Sequence, residues 1–278
     1  MWLIFALLST VFWAVVHVGD SHCVHDRFEK PWIGVTTSAL ASLIVLLTLP
    51  VVGPHVDWQS PEVSIAVVAV LGGVLIQVSQ ALYFQSLSYS EAGVVAAYWN
   101  MVPAMLPAAS YVIFSRVLRT GQYLGISVLV VASVVMCLLD RNRKRRWQSL
   151  VLMFMASLMQ VAALMLLDVA YSQLPYYETF LLMTGGIVMC GCAPLLLPSA
   201  RRVLARNAKT LTRSASLFVA IEIANLIALA FSQRALDLGL PSLVAAVEST
   251  LPGACFLLSM LLWKAVPRVG DPTAFHMV

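Results

Sequence analysis

Charge is scarce in this chain. Only 11% of its 278 residues are Asp, Glu, Lys or Arg, against about 25% in a soluble domain. With 60% apolar residues and a mean hydropathy of +0.89, the chain has too little polar surface for water and must sit in a bilayer. Its five cysteines include no CxxC pair and show no disulfide framework. Cys137, Cys190, Cys192 and Cys255 fall in apolar runs and Cys23 in an expected loop, so they read as free thiols. The acid-rich DDxxD of prenyl chemistry is missing, as are GxSxG, HExxH and the P-loop. The sequence thus offers no enzyme signature and asks for no cofactor.

The apolar residues come in long runs. A helix needs roughly 20 of them to cross the hydrocarbon core, and nine runs qualify: about 1–19, 32–50, 64–86, 91–114, 119–139, 149–170, 178–197, 214–235 and 240–263. Barrel strands would be shorter and alternating, so the fold class is an all-α polytopic membrane protein. The first run lacks a basic n-region and a small-residue cleavage site, so it reads as a retained helix rather than a signal peptide.

Lys and Arg sort by side. One set of loop ends holds Arg27 and Lys30, the cluster from Arg141 to Arg146, the group from Arg201 to Arg213, and Lys264 and Arg268. The other side holds only Arg116, Arg119 and Arg234 of the chain's 17 basic residues. The positive-inside rule makes the richer side cytoplasmic. The expected protein is a multi-pass protein of the cell (inner or plasma) membrane, N-terminus outside and C-terminus in the cytoplasm. The basic runs read as topology signal and lipid-headgroup contact, not as a nucleic-acid patch.

One phrase is written twice. "VVAAYWNMVP" at 94–103 returns as "LVAAVESTLP" at 243–252, so Leu87 falls on Leu236, Val95 on Val244, Ala96 on Ala245, Ala97 on Ala246 and Pro103 on Pro252. Small residues let helices approach closely, and a proline in mid-span frees a carbonyl where the helix faces protein or a cavity. The first half holds five spans and ends near Leu139. Five is odd, so the second half starts from the opposite side, and the halves read as inverted repeats with a site between them. The expected organisation is a five-helix repeat at 1–140, a basic linker at 141–148, and a second repeat at 149–278.

The chain resembles the EamA group of the drug/metabolite transporter superfamily. The resemblance rests on "ALYFQSLSYSEAGVVAAYWNMVPAMLPAASYV" at 81–112, "GQYLGISVLVVASVVMCLL" at 121–139, "RALDLGLPSLVAAVESTLPGACFLLSMLL" at 234–262 and the opening "WLIFALLSTVFWAVVHVGD". It implies ten helices in two halves of five, with spans 3, 4, 8 and 9 around a central cavity. There are two departures. Arginines stand in "FSRVLRTG" where the family usually has a glutamate after its fourth helix. The tenth helix, due at about 268–288, is missing: residues 264–278 carry Lys264, Pro267, Arg268, Gly270, Asp271 and Pro272 and are expected to form no span.

Few polar residues lie inside the spans. Glu222 and Asn225 share a face of span 8. Glu248 and Ser249 lie on span 9, and their counterparts on span 4 are Trp99 and Asn100. Gln77 and Gln80 share a face of span 3, one turn from Phe84, and Gln160 lies midway along span 6. A charge at the bilayer centre costs roughly 2.5–3.5 kcal/mol on insertion scales, so the two glutamates need a proton, a bound cation or a hydrogen-bonding neighbour. Aromatic faces attract cations by roughly 0.5–2 kcal/mol. Trp99, Tyr98 and Trp13 could thus complement the acids around an amine; helix packing is the plainer role for Tyr98 and Trp13. The stretch "HVGDSHCVHDRFE" at 17–29 offers His17, Asp20, His22, Cys23, His25 and Asp26, but at no zinc-site spacing. No metal is assigned, and Asp20 reads as a gate residue or a helix-end contact.

The expected function is alternating-access transport of a small polar metabolite, an amine, amino acid or similar. Proton coupling is expected from the acids, and export is implied only by the resemblance. The alternative is a non-transporting subunit derived from a transporter fold. The expected partners are the substrate and the bilayer, with room for a homodimer.

Overall fold

The computed structural model describes residues 1–55, 61–90, 92–139 and 143–265. Among the described residues thirteen α-helices follow in order: α1 (Trp2–Asp26), α2 (Trp32–Leu47), α3 (Leu49–Val52), α4 (Val63–Leu87), α5 (Ala92–Trp99), α6 (Met101–Phe114), α7 (Thr120–Leu139), α8 (Arg143–Tyr171), α9 (Tyr176–Cys192), α10 (Pro198–Arg213), α11 (Ala215–Leu238), α12 (Pro241–Glu248) and α13 (Leu251–Ala265). Six segments among the described residues are long and apolar enough to cross a membrane: Trp2–Val24, Val63–Leu87, Trp147–Tyr171, Tyr176–Leu196, Ala215–Leu238 and Pro241–Leu261. The other three expected runs are also helical, over α2, the pair α5 and α6, and α7. Large apolar side chains such as Ile4, Val11, Ile44, Leu124 and Leu257 face outward; lipid, not water, is the solvent that suits them.

Three boundaries differ from the sequence reading. The first helix does not end at 19 but continues to Asp26. Asp20 is therefore buried inside a helix rather than at its end, because its face of the helix meets polar partners. The helix of span 6 begins at Arg143, so most of the expected linker is its first turns. The basic segment after span 7 is an amphipathic helix, α10, which buries Ala200, Val203 and Asn207 at helical spacing and exposes Arg201, Arg202 and Arg206. Arg206 lies 3.5 Å from Glu29. Residues 266–278, where the absence of a tenth span was expected, lie outside the described residues.

Two helices break at matching places. Span 4 breaks at Asn100, between α5 and α6, and span 9 breaks at Ser249 and Thr250, between α12 and α13. Each break precedes a proline, Pro103 or Pro252, whose ring clashes with the carbonyl four residues back and whose nitrogen cannot donate to it. The broken helices cross: α5 packs on α13, and α6 packs on α12. At the crossing the Asn100 side-chain amide donates to the Ser249 carbonyl at 2.9 Å, across the same 149 residues that separate the two copies of the phrase. Around this cross, α1 packs on α11, α12 and α13, while α8 packs on α4, α5 and α6.

The tightest crossing joins α4 to α9. A Cβ at Gly73 would lie 1.9 Å from the Met183 carbonyl oxygen, and one at Gly186 would lie 2.1 Å from the Val70 carbonyl oxygen. The two glycines thus bring backbone against backbone, as small residues do between membrane helices.

Candidate functional site

One row of polar side chains inside the bundle lines up along α1. Ser9, Trp13, Val16 and Asp20 recur at helical spacing and so share one face. Ser9 donates to the Glu248 carboxylate at 2.8 Å, and Ser232 also bonds that carboxyl. Eleven residues further along, about 16 Å on a helix, the Tyr83 hydroxyl donates to Asp20 at 3.3 Å. The Asp20 and Glu222 carboxyls are near enough for their charges to oppose one another. The Asn225 amide donates to Glu222 at 3.0 Å and to the Ser38 hydroxyl at 2.8 Å. There are therefore two carboxyl stations on α1, one near each end.

Aromatic rings fill the length between them. His17 lies 4.8 Å from the Tyr83 ring and 6.4 Å from the Trp99 ring, and Tyr83 meets Trp99 edge-on at 5.9 Å. Trp13 packs among Ala14, Ala96 and Leu251. Gly19 allows α11 to close on α1 here, since a Cβ there would lie 2.7 Å from Ile221.

A small cavity sits at the second station, lined by Asp20, Ser38, Gln80, Phe84, Glu222 and Asn225 with Val16 and Ile221. Its volume of about 10 Å³ gives room for about one water. This cavity, as it stands, is therefore too small for anything the size of a metabolite.

The structure gathers Glu222, Asn225 and Gln80 at this cavity and places Trp99 on the aromatic stretch beside it. Glu248 stands apart at the other station. Asn100 is spent on the helix crossing. Gln77, only 2% exposed, donates to the Val35 carbonyl at 2.9 Å and ties α4 to α2 rather than lining the cavity. Tyr98 is buried among Val24, Phe84 and Met153. Ser38, Tyr83 and His17 stand at or beside this candidate site without having been expected there, and Asp20, read from the sequence as a gate residue or a helix-end contact, lines the cavity itself. The spacing of Ser9, Trp13, Val16 and Asp20 carried the signal, but ending the first span at 19 hid it. Among the described residues no three His, Cys, Asp or Glu side chains converge as a metal set.

Removing the crossing bond gives a first prediction. Asn100→Ala leaves the Ser249 carbonyl buried without that donor, a loss of about 1–3 kcal/mol. The purified protein should melt several degrees lower, by about 2–4 °C per kcal/mol at this size. An unchanged melting temperature would mean that the crossing does not depend on the amide.

Residues 1–138 match the family model of the EamA-like transporter family. No curated protein matches the chain. A solved crystal structure, described only as a protein, is similar with a TM-score of 0.65 at 12% identity, over 95% of this chain and 89% of its own. At that identity the likeness speaks to the fold alone.

Proposed function

We propose, from the premise that the chain belongs to the EamA-like transporter family of the drug/metabolite transporter superfamily, that it carries small cationic or zwitterionic metabolites, amines or amino acids, past the two carboxyl stations of α1. The observation that carries the reading is the pair of half-buried glutamates, Glu222 and Glu248, each turned toward α1 from the second half and each held by neutral hydrogen-bond partners. Held in this way, a carboxylate remains able to take an ammonium group, which a salt bridge to Arg would forestall. Two half-buried acids elsewhere contrast with them: Asp168 is bonded to Arg116 at 2.6 Å and Asp237 to Arg234.

The path runs along α1 from the Asp20 and Glu222 station, past His17, Tyr83 and Trp99, to Glu248. Aromatic faces suit an organic cation in transit. Alternating access follows from two halves that move against each other. Exchanging the first half for the second maps the packing of α8 on α4, α5 and α6 onto that of α1 on α11, α12 and α13, which supports a reading as inverted repeats. Export and proton coupling belong to the same proposal, as does residence in the inner or plasma membrane. With the charge asymmetry, a reporter fused after Val278 should be cytoplasmic and one at the N-terminus external; both ends on one side would overturn the orientation.

The test is a thermal-shift screen of the purified protein. A bound ligand stabilises the folded state by mass action. Amines and amino acids should raise the melting temperature, while organic anions should not. Stabilisation by anions alone would sink the reading.

A further inference from the structure

Asp20 has no partner in the amine reading that accounts for its pairing with a second acid. Resting on that reading, we infer that Asp20 and Glu222 together hold one small inorganic cation, a proton or a sodium ion, as the coupling ion of the carrier. The space decides the size of the occupant. The cavity between these carboxyls has room for about one water, too little for an organic amine in this conformation but enough for a sodium ion or a hydrated proton. Its polar lining suits a hard cation: two carboxyls, the Ser38 hydroxyl and the side-chain amides of Gln80 and Asn225 make five oxygen-bearing groups. Oxygen ligands of this kind from facing helices coordinate coupling ions in carriers.

The repeat supplies an independent argument. The 149-residue shift places Glu222 on Gly73. On the Gly73 side, the α4 and α9 backbones touch and leave no room. On the Glu222 side, the corresponding crossing of α11 with α2 is made by Asn225 bonding Ser38, with the cavity beside it. The space is therefore specific to one of two equivalent crossings and is not a packing defect that both share.

Charge points the same way. No Lys or Arg lines the cavity. Facing Asp20 are Tyr83 from α4 and Glu222 from α11. Cys23 on α1 and Cys255 on α13 lie near Tyr83. Among the described residues α2 contributes the neutral Ser38 to the cavity, and α5 sets the neutral Trp99 against Tyr83. One turn back on α1, His17 is 6% exposed, and its Nδ1 has no hydrogen-bond partner among the described residues. Two opposed carboxyls on a cavity that no Lys or Arg lines are suited to share a cation from outside the protein.

The test reads binding rather than flux, so it stands or falls separately from the amine proposal. The purified full-length protein is melted in sodium chloride and in choline chloride, at about pH 8.5 and about pH 5.5, which bracket the range between carboxyl and neutral titration. If the ion is sodium, melting rises by about 5 °C in sodium over choline at the higher pH, for sodium at about 100 times its Kd, and less at the lower pH, where protons compete. If it is the proton, melting rises at the lower pH equally in both salts. In either case Asp20→Asn and Glu222→Gln abolish the shift, and Ser38→Ala reduces it. The Glu222 and Ser38 variants keep the test decisive should Asp20→Asn fail to fold. A wild type indifferent to all four conditions, or a full shift in both Glu222→Gln and Ser38→Ala, overturns the inference. A cation shift without any shift by amines would retain it and sink the amine reading instead.

Discussion

Glu222→Gln should leave the protein folded and lower amine transport by about 100-fold, the scale of losing one partner of a buried charged contact. Glutamine keeps the size of the side chain and can still accept from the Asn225 amide, which lies 3.0 Å away. What it cannot do is carry a negative charge. Glu248→Gln should weaken transport less, because Glu248 stands alone at its station with Ser9 and Ser232, whereas Glu222 shares its station with Asp20. The leucine variants separate binding from structure. Glu222→Leu strands the Asn225 amide and should destabilise by about 1–3 kcal/mol. Full flux in both glutamine variants, together with a melting loss in the leucine variants, would mean that the glutamates serve only to hold helices together.

The spans were legible because their signal is additive: about 20 apolar residues in a row leave few alternatives. The helix breaks were legible from Pro103 and Pro252, since proline acts on the carbonyl four residues back wherever it stands. The candidate site was legible only in part. Glu222, Asn225 and Gln80 stand out as polar residues within apolar runs, and they do meet at one cavity. Asp20 was concealed by its sequence neighbourhood. The stretch from His17 to Glu29 is polar enough to read as a turn, and only packing against Tyr83, Ile221 and Glu222 makes helix and burial out of it. Gln77 shows the converse. It has the same chemistry and the same face as Gln80, but its amide is taken by the Val35 carbonyl. Which of two glutamines ties helices and which lines a cavity depends on the neighbouring helix, and one sequence does not display it.

Gly73→Ala should be the most damaging small substitution in the bundle. The added methyl would stand 1.9 Å from the Met183 carbonyl oxygen and 3.1 Å from the Ile187 nitrogen. These are backbone atoms of α9 that no rotamer change can move. The helices must separate, and overpacking of this kind costs about 1–3 kcal/mol, read as a fall of several degrees in melting temperature. Gly73→Leu should yield no folded protein at all. By contrast Gly125→Ala, with nothing within 4 Å of its added methyl, should melt at the wild-type temperature or above, since alanine favours the helix by about 1 kcal/mol. Equal melting of the Gly73→Ala and Gly125→Ala proteins would show that α4 and α9 do not meet as described.

The central claim is that this bundle is a carrier with a cation-selective interior, and vesicle uptake tests it most directly. Purified protein is reconstituted into vesicles loaded with an unlabelled amine that stabilised it in the melting screen, and entry of the labelled amine is followed against protein-free vesicles and vesicles holding Glu222→Gln. The account predicts saturable entry with the wild type, and entry near the protein-free level with the variant. Wild-type vesicles that take up no more label than protein-free ones, from a preparation that melts cooperatively and responds to the amine, would contradict it and favour a binding subunit that does not transport.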